Sequence, residues 1–254
     1  MNNFSVGGAA MQKTDIDALI GVAVFFAAYA FAANIRGLTA GFRRRWAAVS
    51  AGVSLAYVFM DIVPELAERS HFIREAAYFA INPVKRIYAI TLLGMLTFVA
   101  LSHLGRIKTD TDQGEHAQQV AQWYQLIHIG GFVLYNVLIG FLAVGRSRVS
   151  IASLCIFVFA IALHMVMIDG MLTEIHSSSY TRWGRKALAL GVLVGWLLGI
   201  TGTLSELAFS RLFAFLAGGI VITSANEEFP REDQGRFWYF IAGAVVYANV
   251  LVLV

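Results

Sequence analysis

The sequence predicts an all-α polytopic membrane protein of about eight transmembrane helices with almost no soluble domain. Three observations predict it. Of 254 residues, 58% are hydrophobic and 14% are charged, against roughly 25% charged in ordinary soluble domains; a soluble fold of this length cannot hide that much apolar surface. Apolar runs long enough to cross a hydrocarbon core, roughly 20 residues as a helix, recur along the chain. The segments between them are too short to fold independently.

In order, the runs lie near 16–34, 46–66, 87–104, 125–144, 150–170, 187–204, 209–226 and 237–254, forming one transmembrane domain over 1–254. The opening MNNFSVGGAAMQKTD is too polar for the apolar core of a secretory signal, so the first helix is expected to stay in the mature protein. Trp46, Trp123, Trp183 and Trp238 fall at or just outside the runs, as interfacial anchors do, and Trp196 alone is central. The stretch 67–86 suits a short interfacial helix, and the polar stretch 105–122 reads as a flexible solvated loop. Only three prolines interrupt the chain, which suits long helices. The single Cys155 lies inside an apolar run and excludes a disulfide framework or a cysteine-based metal site within one chain. The net charge of +3 comes from arginines in short loops, so nucleic acid is not an expected partner. Loops 1–2, 3–4, 5–6 and 7–8 together carry slightly more Lys and Arg than the other side, which places both termini outside. A bacterial cytoplasmic membrane is the expected location.

Runs two and seven resemble each other. AGVSLAYVFMDIVPE, Ala51 to Glu65, and AGGIVITSANEEFPR, Ala217 to Arg231, align at a single offset that matches Ala51-Gly52 with Ala217-Gly218, Asp61 with Glu227 and Pro64 with Pro230. On eight spans these helices cross in opposite directions. That is the signature of an inverted repeat, helices 1–3 against helices 6–8, with halves at 16–104 and 187–254 and central helices within 125–170. Ala-Gly pairs and acid-proline exits are also common in unrelated membrane helices.

An ionisable group in hydrocarbon costs roughly 2.5–3.5 kcal/mol on insertion scales and usually faces an interior path. The candidates are Ser54 and Asp61 on helix two, His128 and Asn136 on helix four, His164 and Asp169 on helix five, and Ser224, Asn226 and Glu227 on helix seven. By direction of travel, His128, Asp169 and Glu227 lie toward one face, the cytoplasmic one, with His164 about 7.5 Å deeper than Asp169 at 1.5 Å per residue. Imidazole and carboxylate at converging depths suit zinc or ferrous iron. His164 and Asp169 share a face only if the helix breaks locally, and Gly170 offers a place for it. Asp61 and Glu65, one turn apart, form an acidic pair at the opposite face that would attract an ion. Each has a plainer reading: His128 as an interfacial cap, Asp61, Glu65, Glu227 and Glu228 as solvated helix ends, Asn136 as a helix–helix hydrogen bond. Glu174 and His176 are expected in solvent.

This layout resembles the ZIP (Zrt/Irt-like) family of divalent-metal permeases. AGVSLAYVFMDIVPEL resembles the family's second helix, YNVLIG (Tyr135 to Gly140) its helix-four motif, HMVMIDG (His164 to Gly170) its helix-five motif, and LAGGIVITSANEEFPRE its seventh helix. Asn136 and Gly140 match the helix-four motif. Ile139 and Ile168 stand where family members place bridging glutamates, Tyr135 stands at a histidine position, and the motif prolines and a histidine-rich loop are absent. The resemblance implies eight helices, outside termini and an inverted repeat. It further implies a permease moving zinc, iron or manganese by alternating access. With the family's bridging glutamates absent, the candidates read above, His164, Asp169, Asn136, Glu227 and His128, would be the metal ligands, and Asp61 and Glu65 would attract the ion at the access point. The metal is substrate, and no other cofactor is expected.

The isoleucines at the bridging positions motivate an alternative: the same fold without transport, as a membrane scaffold or subunit of a larger complex. A third class is an intramembrane metal-dependent hydrolase using His128, His164 and Asp169, but a recognisable nucleophile arrangement is missing, so the chain is read as not an enzyme. Besides lipid, the expected partners are a second copy or other membrane proteins, and glycine-rich faces such as GVLVGWLLG could serve such contacts.

Overall fold

A computed structural model describes residues 12–35, 40–75, 83–106, 115–202, 205–228 and 234–253. Among these there is no strand, and eight helical spans are long and apolar enough to cross a membrane. The elements are α1 (Lys13–Ile35), α2 (Ala40–Tyr57), a π-helical turn π1 (Val58–Ile62), α3 (Val63–Glu75), α4 (Pro83–Arg106), α5 (Glu115–Val149), α6 (Ile151–Ser179), a second π-helical turn π2 (Tyr180–Gly184), α7 (Arg185–Ile200), α8 (Glu206–Glu228) and α9 (Gln234–Leu253). The second span is composite, since α2, π1 and α3 run on without a break in helical backbone.

Local sequence accounts for several boundaries. Pro83 opens α4 at the first helical position, where a missing N–H leaves no bond unmade. The stretch EHAQQVAQ, expected as loop, instead forms the first turns of α5: Ala, Gln and Glu are good helix formers, and an apolar helix already follows. At 35 residues α5 reaches about 52 Å, longer than the roughly 30 Å hydrocarbon core. The expected interfacial helix within 67–86 is α3, which prolongs the second span to Glu75; 76–82 lie outside the described residues. No break occurs at Gly170. α6 stays α-helical from Ile151 to Ser179, so His164 and Asp169 keep different faces.

Spans running in the same direction pair most extensively. α2 lies along α9, α4 along α8, α5 along α7 and α1 along α6. Glycines make this possible by letting backbones touch. A β-carbon at Gly52 would collide with the Phe240 carbonyl, and one at Gly243 with the Val49 carbonyl; in α4 and α8, Gly94 meets the Phe215 carbonyl and Gly218 the Thr91 carbonyl. Gly195 and Gly140 do the same between α7 and α5. Tyr135, Phe132, Ile129 and Ile139 of α5, with Phe25 of α1 and Met165 and Leu172 of α6, are among the largest fully buried side chains. The α4 and α9 spans are the least buried and bound the molecule laterally.

Candidate functional site

Among the sequence candidates, His128 and Asn136 on α5 and His164 and Asp169 on α6 sit in the apolar interior at 1% exposure or less. Each finds its own partner. Asn136 accepts a 2.6 Å hydrogen bond from the Tyr29 hydroxyl of α1 and donates to the Phe132 carbonyl at 2.7 Å, so an amide that would be costly in lipid is satisfied within protein. His164 Nε2 stands 3.4 Å from Thr223 Oγ1 on α8, and its ring centroid is 6.1 Å from that of Tyr135. Thr223 also donates to the Gly219 carbonyl at 2.8 Å.

At the end of the bundle where α3 and α5 finish, a guanidinium gathers the acidic pair. Arg146 Nη2 donates to Asp61 Oδ2 at 2.6 Å and to Glu65 Oε2, and the Tyr57 hydroxyl lies 3.5 Å away. Arg69, one turn past Glu65, holds the other Glu65 oxygen at 2.6 Å and lies over the rings of Phe209 and Phe213 of α8. A cleft of about 410 Å³ ends on this network, lined by Met60, Asp61, Pro64, Glu65, Arg146 and Val149 among others.

At the opposite end, Asp169 is clamped. Arg185, at the start of α7, donates through Nε to Oδ1 at 2.7 Å and through Nη2 to Oδ2 at 2.9 Å, the two-pronged geometry that suits a carboxylate. The Tyr180 hydroxyl adds a 2.7 Å bond to Oδ1. The turn π2 joins α6 to α7, and Tyr180 within it and Arg185 just after it both meet Asp169, a residue well behind them on α6. Near the same end, His128 Nδ1 and His176 Nε2 lie 2.6 Å apart, one imidazole donating to the other.

The predicted candidates therefore separate rather than converge. His164 and Asp169 lie on different faces of α6; Asn136 bonds Tyr29; His128 bonds His176; Asp61 and Glu65 share Arg146. His176, expected in solvent, is half-buried in that pair, whereas Glu174 is exposed as expected. Glu227 is on the last turn of α8, and its side chain lies outside the described residues. Ile139 and Ile168, at the positions of the resemblance's bridging glutamates, are 0% and 3% exposed within the main apolar core. Among the described residues no group of three or more His, Cys, Asp or Glu is arranged to hold a metal ion.

Sequence reasoning missed the partners: Tyr29, Arg146, Tyr180, Arg185 and Thr223. Arg146 and Arg185 sit just inside apolar spans, where a charge calls for a countercharge, and that was the available signal. The tyrosines gave none, since an aromatic residue passes for core. No family model matches the chain, and no curated protein matches its sequence.

Proposed function

We propose that the chain is a ZIP-like membrane permease, an inverted repeat of helices 1–3 against helices 6–8 that moves a divalent cation such as zinc, iron or manganese by alternating access. One observation carries the reading. The contacts made by the second span recur in the seventh at the offset that aligns Gly52 with Gly218. Gly52 meets the Phe240 carbonyl and the Ala244 amide on α9, and Gly218 meets the Thr91 carbonyl and the Met95 amide on α4. In return Gly243 meets Val49 and Gly94 meets Phe215, and Val49 and Phe215 align at that same offset. The exchange of partners, α2 with α9 and α8 with α4, is what a pseudo-two-fold axis in the membrane plane would produce. It extends to the aromatics: Phe98 of α4 lies against Phe132 and Tyr135 of α5, while Tyr247 of α9 lies against Phe159 and Ile156 of α6.

In this reading Asn136 and His164 line the path, with His128 and Glu227 toward the inner face. Asp169 joins when it leaves Arg185. The test is uptake of zinc, iron and manganese by proteoliposomes, with elemental analysis of the purified protein. Saturable uptake of one ion, lowered at least about tenfold in His164→Ala, the effect of losing about 1.4 kcal/mol, is the expected result. Vesicles that take up none of the three would sink it.

A second reading has its own observation. The two buried isoleucines, with no three-ligand group among the described residues, favour a ZIP-like fold kept as a scaffold or subunit without transport. Metal-free protein that co-purifies with other membrane proteins would select it.

A further inference from the structure

We infer that two guanidinium–carboxylate latches, Arg146 with Asp61 and Glu65 at one end and Arg185 with Asp169 at the other, each seated at a π-helical turn, close the interior of the bundle to both faces at once. The inference deepens the permease reading and rests on it for its purpose, though not for its test.

Both latches tie together spans that would have to separate for an end to open. Arg146 belongs to α5, and its carboxylates to π1 and α3. Arg185 belongs to α7 and Asp169 to α6. The alternation of span directions puts them at opposite ends: α5 runs toward the end where α3 finishes, whereas Asp169 is near the far end of α6 and Arg185 opens α7. The cleft of about 410 Å³ at the Asp61 end is lined by all three members of that latch, Asp61, Glu65 and Arg146.

The second observation is the backbone. Asp61 lies inside π1 and Tyr180, the third member of the other latch, inside π2. A π turn carries one residue more than the α-helical ladder needs, so it can relax to regular helix by a shift in register, swinging the following segment. These are the two π segments among the described residues, and each coincides with one latch. Hinge and lock thus sit together at each end. Between the latches lies Ser54, 3% exposed, about 10 Å along the helix from Asp61, its hydroxyl without a hydrogen-bond partner among the described residues.

Ser54→Cys in a Cys155→Ser background gives a reporter, read as its rate of labelling by a membrane-impermeant thiosulfonate in right-side-out and in inverted membrane vesicles. With both latches intact, labelling is expected from neither side. Arg146→Gln should raise it at least about tenfold, a shift worth about 1.4 kcal/mol, from the Asp61 side alone. Arg185→Gln should do so from the Asp169 side alone. If either single variant fails to fold, the charge-free versions serve: Arg146→Gln with Asp61→Asn and Glu65→Gln, and Arg185→Gln with Asp169→Asn. Rapid labelling of the intact protein, no change in the latch variants, or opening at the wrong end would each overturn the inference. Because no cargo takes part, one-sided opening in vesicles that move no metal would keep the latches and discard the permease.

Discussion

Asp169 is wholly buried while Arg185 is 19% exposed, so the two sides of the pair respond differently to mutation. Arg185→Met leaves the buried Asp169 carboxylate with the Tyr180 hydroxyl but without its guanidinium, and should lower unfolding stability by up to about 3–5 kcal/mol. Pairing it with Asp169→Asn removes both charges and should recover most of that loss. Denaturant titration of the singles and the double in micelles checks this as a double-mutant cycle, and a double no better than Arg185→Met would contradict it. Tyr29→Phe removes one neutral donor from Asn136, and hydrogen bonds between membrane helices average only about 0.6 kcal/mol. Its midpoint should therefore move far less than that of Arg185→Met. At this scale the sequence pointed to half of each interaction. It exposed Asn136, Asp61 and Asp169 because polar atoms in apolar runs stand out, and it hid Tyr29 and Tyr180 because a phenol looks like any other ring until its oxygen is placed.

The helices were far more legible. Hydropathy predicted about eight spans and the described residues contain eight, because the length needed to cross hydrocarbon is set by the bilayer. The ends shifted where composition favours helix beyond the apolar stretch, as at Glu115. The π turns could not be read, since a register change of one residue leaves no mark on hydropathy. Glycines divide into two kinds by their neighbours. Gly218 is pressed on the α4 backbone, so Gly218→Ala should cost about 1–3 kcal/mol or more through forced separation. Gly170 has nothing within 4 Å of a would-be β-carbon, so Gly170→Ala should be neutral or stabilise by up to about 1 kcal/mol. Thermal unfolding in detergent of the two variants should move in these different directions, and equal losses would refute the contact reading.

On the scale of the whole molecule, α4 and α9 leave broad apolar faces such as Leu93, Leu96, Val246 and Leu253 open laterally, as a lipid-bounded surface requires. Trp238 is 69% exposed and Trp196 is 7% exposed with its Nε1 bonded to the Asp15 carbonyl. In single-tryptophan variants, brominated lipids should quench Trp238 strongly and Trp196 weakly; equal quenching would contradict the packing. The pairing of same-direction spans has a further consequence for synthesis. Consecutive helices are not each other's main partners: α2 must wait for α9, about 190 residues later, which at 5–20 residues per second is roughly 10–40 s. Through that interval the glycine groove around Gly52 lies open in the bilayer, so the nascent chain is most exposed to membrane proteases and insertion chaperones until α9 arrives.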